Sequence, residues 1–223
     1  MLKTRQAFAT LLKGILGGFC IGISSIFFLV VGSYNKLAGA VAFCVGLIVI
    51  MNLGYYLYTG KNVNFLNHLK RTNNLHYGIQ LLIGLLGNII GAGLFGLVLG
   101  QVFKYIEYIP TLDINTVVGN KLDNPLWVTF LLAMGCNVLI YFIVEAFAKV
   151  DNVIIRHLIL ILCNGGYIIL GLEHSIANTF YLAFGGVFTL EAVIFLLVVI
   201  LGNMAGGILI PSVIKLIKRL ERR

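Results

Sequence analysis

Leu57-Tyr58-Thr59-Gly60 and Leu172-Glu173-His174-Ser175 are short polar interruptions in a chain otherwise made of long apolar runs. Each is followed at the same distance by a glycine-asparagine pair inside such a run: Thr59 precedes Asn88 by 29 residues, and His174 precedes Asn203 by 29. Adding 115 to Thr59, Gly87, Asn88 and Gly91 gives His174, Gly202, Asn203 and Gly206, so Gly-Asn-x-x-Gly recurs in register. The chain therefore carries an internal repeat, and its fold follows from what each copy encloses.

At 60% hydrophobic and 11% charged residues, with a mean hydropathy of +1.01, the 223-residue chain exposes too little charge for a soluble domain. A bilayer core of roughly 30 Å needs about 20 residues per helix, and six stretches meet that length: 8–31, 37–58, 78–103, 126–147, 153–172 and 185–214. The first is too long for a signal peptide and lacks a cleavage site, so it is expected to be retained. Three spans per copy is an odd number, so the second copy enters the membrane from the opposite side. The expected fold is an all-α membrane protein of one channel domain, with inverted repeats at about 8–103 and 126–214 and broken second and fifth helices, aquaporin-like in architecture.

The net charge of +8 is a matter of topology and does not point to nucleic acid. Alternate threading puts Lys3, Arg5, Lys61, Lys70, Arg71, Lys149, Arg156, Lys215, Lys218, Arg219, Arg222 and Arg223 on one side. Lys36, Lys104 and Lys121 fall on the other, beside Glu107, Asp113 and Asp123. The excess of positive charge predicts cytoplasmic termini in a multi-pass protein of the plasma or inner membrane. Residues 59–77 then form a polar, basic cytoplasmic loop, 101–125 an external loop, and Pro125 the first turn of helix four. Cys20, Cys44, Cys136 and Cys163 lack metal-ligand spacing and read as small packing residues; no metal or cofactor is expected.

His174 is the most informative residue, because an ionisable group inside a span is expensive and by default functional. Its plainer reading is a neutral imidazole bonded within the helix packing. Glu173 either caps donors at the break or holds the fold or a subunit interface. Asn88, Asn137 and Asn203 are amides deep in apolar helices that require partners; they either pin the broken helices or touch a solute. Asn178 opens a half-length segment at 176–187, and Pro211 is expected to kink the last span. With both breaks near the midplane, Thr59 and His174 face each other across one pathway, and half-helix N-termini turn positive ends toward an anion.

Leu57-Tyr58-Thr59-Gly60, Gly171-Leu172-Glu173-His174-Ser175-Ile176-Ala177-Asn178, Cys136-Asn137 and the two Gly-Asn-x-x-Gly pairs together resemble the motifs of the formate/nitrite transporter family, in order and spacing over nearly the whole chain. The resemblance implies a homopentamer in the lipid bilayer, with a pore through each protomer for small monovalent anions of weak acids such as formate, nitrite or hydrosulfide. It implies hydrophobic constrictions at Phe43, Leu47, Leu57, Tyr58 and Tyr167, with Thr59 and His174 between them. It also implies that Lys121, a plain surface lysine on composition alone, approaches the pore from outside. The chain departs from the family pattern in Tyr55-Tyr56 after Gly54, in tyrosine at 58 and 167 where phenylalanine is usual, and in Ile140-Tyr141 after the helix-four asparagine.

A bare anion loses several kcal/mol or more of solvation in a low-dielectric constriction, and a neutral acid does not. His174, bonded through Thr59 or water, is thus expected to supply a proton to the passing anion; the competing expectation leaves it a neutral hydrogen-bond donor and lets anions pass unprotonated. A neutral-solute or gas channel of the same architecture is the alternative. An enzyme would need a second catalytic group near His174, and the spans hold no acidic cluster or nucleotide-binding loop.

Overall fold

The computed structural model describes residues 4–68, 74–106 and 109–222, and no strand occurs among them. Lys3, Lys70, Arg71, Glu107 and Arg223 lie outside the described residues. In chain order the helices are α1 (Thr4–Tyr34), α2 (Lys36–Ala42), α3 (Cys44–Leu53), α4 (Tyr58–Asn62), α5 (Phe65–His68), α6 (Asn74–Val102), α7 (Ile114–Leu122), α8 (Leu126–Lys149), α9 (Val153–Ile169), α10 (Ser175–Phe184) and α11 (Leu190–Leu220). Five segments are long and apolar enough to cross a membrane: Thr4–Tyr34, Lys36–Leu53, His76–Tyr105, Leu126–Lys149 and Leu190–Leu220. The remaining span is divided between α9 and α10. The chain is an all-α membrane protein with two inverted three-helix repeats whose second and fifth spans are broken.

Several boundaries differ from those read in the sequence, each for a local reason. The second span turns at Phe43, where Ser24 Oγ of α1 accepts the Gly46 N–H (2.9 Å), and it ends at Leu53 because Gly54 adopts a left-handed φ of 69°. Residues 59–62 are no cytoplasmic loop: they form α4, whose Thr59 and Asn62 are wholly buried. The fifth span stops at Ile169, ahead of Gly171 at φ 67°. The last span begins at Leu190, since Gly185 and Gly186 close α10 and Thr189 caps α11 through its side chain. That helix then runs through Pro211 to Leu220. Pro125 is the N-cap residue of α8, one position before its first turn.

Residues 101–125 contain α7, which the reading of this segment as a loop missed. Asp113 caps it, its carboxylate accepting the N–H groups of Asn115 (3.1 Å) and Thr116 (3.2 Å) and the Thr116 hydroxyl (2.5 Å). Hydrogen bonds from the Thr116 hydroxyl and the Asn115 amide hold this carboxyl below its ordinary pKa.

The repeat is visible in the packing of its glycines. A Cβ on Gly87 would meet the Leu11 carbonyl and Gly14, and one on Gly202 the Phe130 carbonyl and Ala133. Likewise Gly91 abuts the Ile15 carbonyl and Gly206 the Met134 carbonyl. Leu11, Gly14 and Ile15 map onto Phe130, Ala133 and Met134 by a shift of 119 residues. So α1 against α6 and α8 against α11 are the same close helix pair, built on small residues that admit backbone-to-backbone contact. Gly206→Ala would press a methyl onto Met134 backbone that cannot swing aside. Its melting temperature in detergent should fall by several degrees, whereas Gly119→Ala on α7, with open space at its Cβ position, should leave it unchanged.

Candidate functional site

Each break is anchored by one asparagine. Tyr58, first residue of α4, donates its N–H to Asn88 Oδ1 (2.8 Å), and Asn88 Nδ2 donates to the carbonyls of Gly14 (2.7 Å) and Tyr56 (2.8 Å). In the second copy Ser175 N–H donates to Asn203 Oδ1 (3.0 Å), and Asn203 Nδ2 to the carbonyls of Ala133 (2.8 Å) and Glu173 (2.9 Å). The amide satisfies two backbone groups that a broken helix leaves free where no water can reach them, and ties them to a carbonyl of the neighbouring unbroken helix. These bonds correct the register of the repeat at the breaks. Gly54 corresponds to Gly171, Leu57 to His174 and Tyr58 to Ser175, a shift of 117 residues, whereas the asparagines keep a shift of 115. Thr59 and His174 face each other, but they are not equivalent positions.

Their contact is direct. Thr59 Oγ1 lies 2.9 Å from His174 Nε2, with both residues buried. His174 is the N-cap of α10, and its Nδ1 accepts the Ala177 N–H at 3.2 Å. An accepting Nδ1 carries no proton, so the neutral ring holds its hydrogen on Nε2 and donates it to Thr59. The Tyr167 ring stacks on the imidazole (5.8 Å between centroids, 9° between planes), and Phe43 meets Tyr167 edge-on at 5.8 Å.

Asn137 Nδ2 donates to the Thr59 carbonyl (3.2 Å) and to Asn62 Oδ1 (2.8 Å), and Asn62 Nδ2 to the Asn203 carbonyl (3.3 Å). Asn62 was missed among the candidate residues. Its signal is its place three residues after Thr59, one turn along the same short helix.

Glu173, 2% exposed, accepts both Lys121 Nζ and Asn178 Nδ2 on Oε2, each at 2.7 Å. Lys121, on α7, also lies over the Tyr181 ring at 5.9 Å. Two cavities flank the centre. One, of about 480 Å³, is lined by Lys36, Lys121, Asn124, Leu172, Glu173 and Tyr181; the other, of about 130 Å³, by Leu47, Met51, Leu57, Gly60, Lys61 and Val144. Lys36 and Met51 lie toward opposite ends of the second span, and Asn124 and Val144 toward opposite ends of α8, so the cavities open on opposite faces. Leu47 and Leu57 border the Lys61-side cavity directly. Phe43 and Tyr167 are closed off from both, and the Tyr58 hydroxyl reaches the Ile200 carbonyl at 3.4 Å. Among the described residues, no group of three or more His, Cys, Asp or Glu side chains is placed to hold a metal ion.

A polytopic helical protein whose paired breaks meet at a buried polar contact between two opposed cavities has the build of a transporter of small solutes. The chain belongs to the formate/nitrite transporter family, whose sequence profile matches residues 2–217. The Formate channel FocA of Haemophilus influenzae is 22% identical over 196 residues, covering 81% of this chain and 68% of that one. Among solved structures, a pentameric formate channel with formate bound superposes with a TM-score of 0.81 at 21% identity, covering 98% of this chain and 99% of the other. An FNT family ion channel gives 0.78 at 21%, with 93% and 88% covered. At these identities the structural matches establish the fold.

Proposed function

We propose that the protein conducts small monovalent anions of weak acids, such as formate, nitrite or hydrosulfide, through each protomer of a homopentamer in the plasma or inner membrane, with both termini cytoplasmic. The observation that carries this reading is the buried Thr59–His174 hydrogen bond between two opposed cavities. Lys121 at the larger cavity and the N-terminal ends of α4 and α10 supply a positive field for an incoming anion. Phe43 with Tyr167, and Leu47 with Leu57 and Tyr58, form apolar layers that a bare anion crosses only at high cost.

Proton transfer at His174 lowers that cost. The resting ring takes up a proton at Nδ1, displacing the Ala177 N–H. The imidazolium then gives a proton to the anion, leaving a neutral acid and a neutral ring. The positive end of α10 opposes a cation here, so the imidazolium forms with the anion beside it, coupling the proton to the passenger. His174→Asn should abolish the rise in proteoliposome flux between about pH 7.5 and 5.5 and lower flux at least about tenfold. An unchanged rate and pH profile would exclude the transfer. The apolar layers also suit a neutral-solute or gas channel; rapid passage of water, glycerol or ammonia in the same vesicles without anion flux would establish that reading instead.

A further inference from the structure

The core beside the central histidine is not apolar throughout. The buried residues of α9 include Leu160, Asn164 and Tyr167, at helical spacing on one face. Tyr167 ends this stripe against Phe43 and His174. Asn164 lies one turn further along, toward the level of Leu47, which itself lies one turn beyond Phe43. Asn164 is wholly buried and Tyr167 is 1% exposed, yet the Tyr167 hydroxyl has no hydrogen-bond partner and the Asn164 amide has no nitrogen or oxygen partner, only a weak bond with the Cys44 thiol. That thiol is shared with the carbonyls of Ala40 (3.5 Å) and Ile161 (3.7 Å).

A buried phenol without a partner and a buried amide with only a thiol for one, side by side next to the central histidine, are costly to the resting fold. A polar solute between the apolar layers would satisfy them. An amide edge presents one donor and one acceptor in a plane, the complement of the C=O and O–H of a carboxylic acid. A phenol adds a further donor. Sulfur is a weak partner for either.

We propose that Asn164 and Tyr167 form a hydrogen-bonding site for the passing solute, and that it selects oxygen acids of the formic or nitrous type over hydrogen sulfide. The site rests on the weak-acid reading above and names its substrate class. Both residues act by touching the solute, so their replacement changes selectivity more than fold.

The test is the ratio of formate to hydrosulfide flux, measured in proteoliposomes under equal gradients, for the unaltered protein, Asn164→Val and Tyr167→Phe, alongside melting temperatures in detergent. Each variant should lower the ratio by about tenfold, the size of one hydrogen bond, through loss of formate flux. Melting temperatures should be unchanged or higher, because a poorly partnered polar group has been removed. An unaltered ratio in both variants would overturn the site while leaving anion conduction intact. A markedly lower melting temperature for Asn164→Val would show a structural partner and remove Asn164 from the site, with Tyr167→Phe still deciding the rest. Absence of any anion flux in the unaltered protein would overturn this site together with the function it rests on.

Discussion

Asn203→Leu should yield little or no monodisperse protein, and Asn88→Leu should do the same. Each substitution strands one backbone N–H and one carbonyl of the break at places shielded from water. At about 1–3 kcal/mol for each abandoned group, the loss is roughly 2–6 kcal/mol, comparable with the whole stability of many domains. Leucine fits a helix and a bilayer, so propensity and hydrophobicity would both score the change as harmless. Fluorescence-detected size exclusion and thermal melting in mild detergent would measure it. An unchanged melting temperature in either variant would mean that the breaks are held by something other than these amides.

The second large effect is expected at Lys121. Lys121→Met leaves the Glu173 carboxylate almost fully buried, with the Asn178 amide still donating to it. Removing one member of a buried pair commonly costs about 3–5 kcal/mol. The double variant Lys121→Met with Glu173→Gln should recover most of that loss, since a neutral amide needs no counter-charge and can still accept from Asn178. Melting temperatures for the two single variants and the double form a cycle that isolates the pair. Additive losses, with no recovery in the double variant, would show that the contact at 2.7 Å contributes nothing to stability. If the cycle behaves as expected, the double variant also separates two roles of Lys121, because it keeps the fold while lacking the cation at the cavity mouth.

The parts of this architecture that the sequence discloses are those where polarity interrupts an apolar run. His174, Thr59 and the asparagines at 88, 137 and 203 stand out because a lone polar group in a span has few structural excuses. The structure gives each of these asparagines its hydrogen bonds. Asn62 was hidden by company: between Lys61 and Asn64 it reads as solvated loop, and only the turn of α4 carries it inward. α7 was hidden by its surroundings, although Asp113 followed by Ile114, Val117 and Val118 bears the mark of a capped amphipathic helix. Asn164 was lost for the opposite reason, lying between Cys163 and two glycines in a run read only for its small residues. The register at the breaks could not be taken from the longer helices, because helix lengths in the two copies differ. A shift of 115, 117 or 119 residues applies according to which element is compared.

The placement of α4 has a consequence for how the protein is made. By chain order this helix belongs to the first repeat, yet Thr59 and Asn62 are bonded to His174, Asn137 and Asn203 of the second. In return α10 packs against α6 and α1, with Phe180 beside Phe95. Each half lends the other a short helix, as two hands clasp. Until the ribosome reaches residue 137, α4 has its own amide anchor from Asn88 but none of these partners for its inner face. Synthesis of Asn137, His174 and Asn203 completes it in that order. The first three spans are therefore not a finished folding unit when they enter the bilayer, and the passage comes into being only with the final helix.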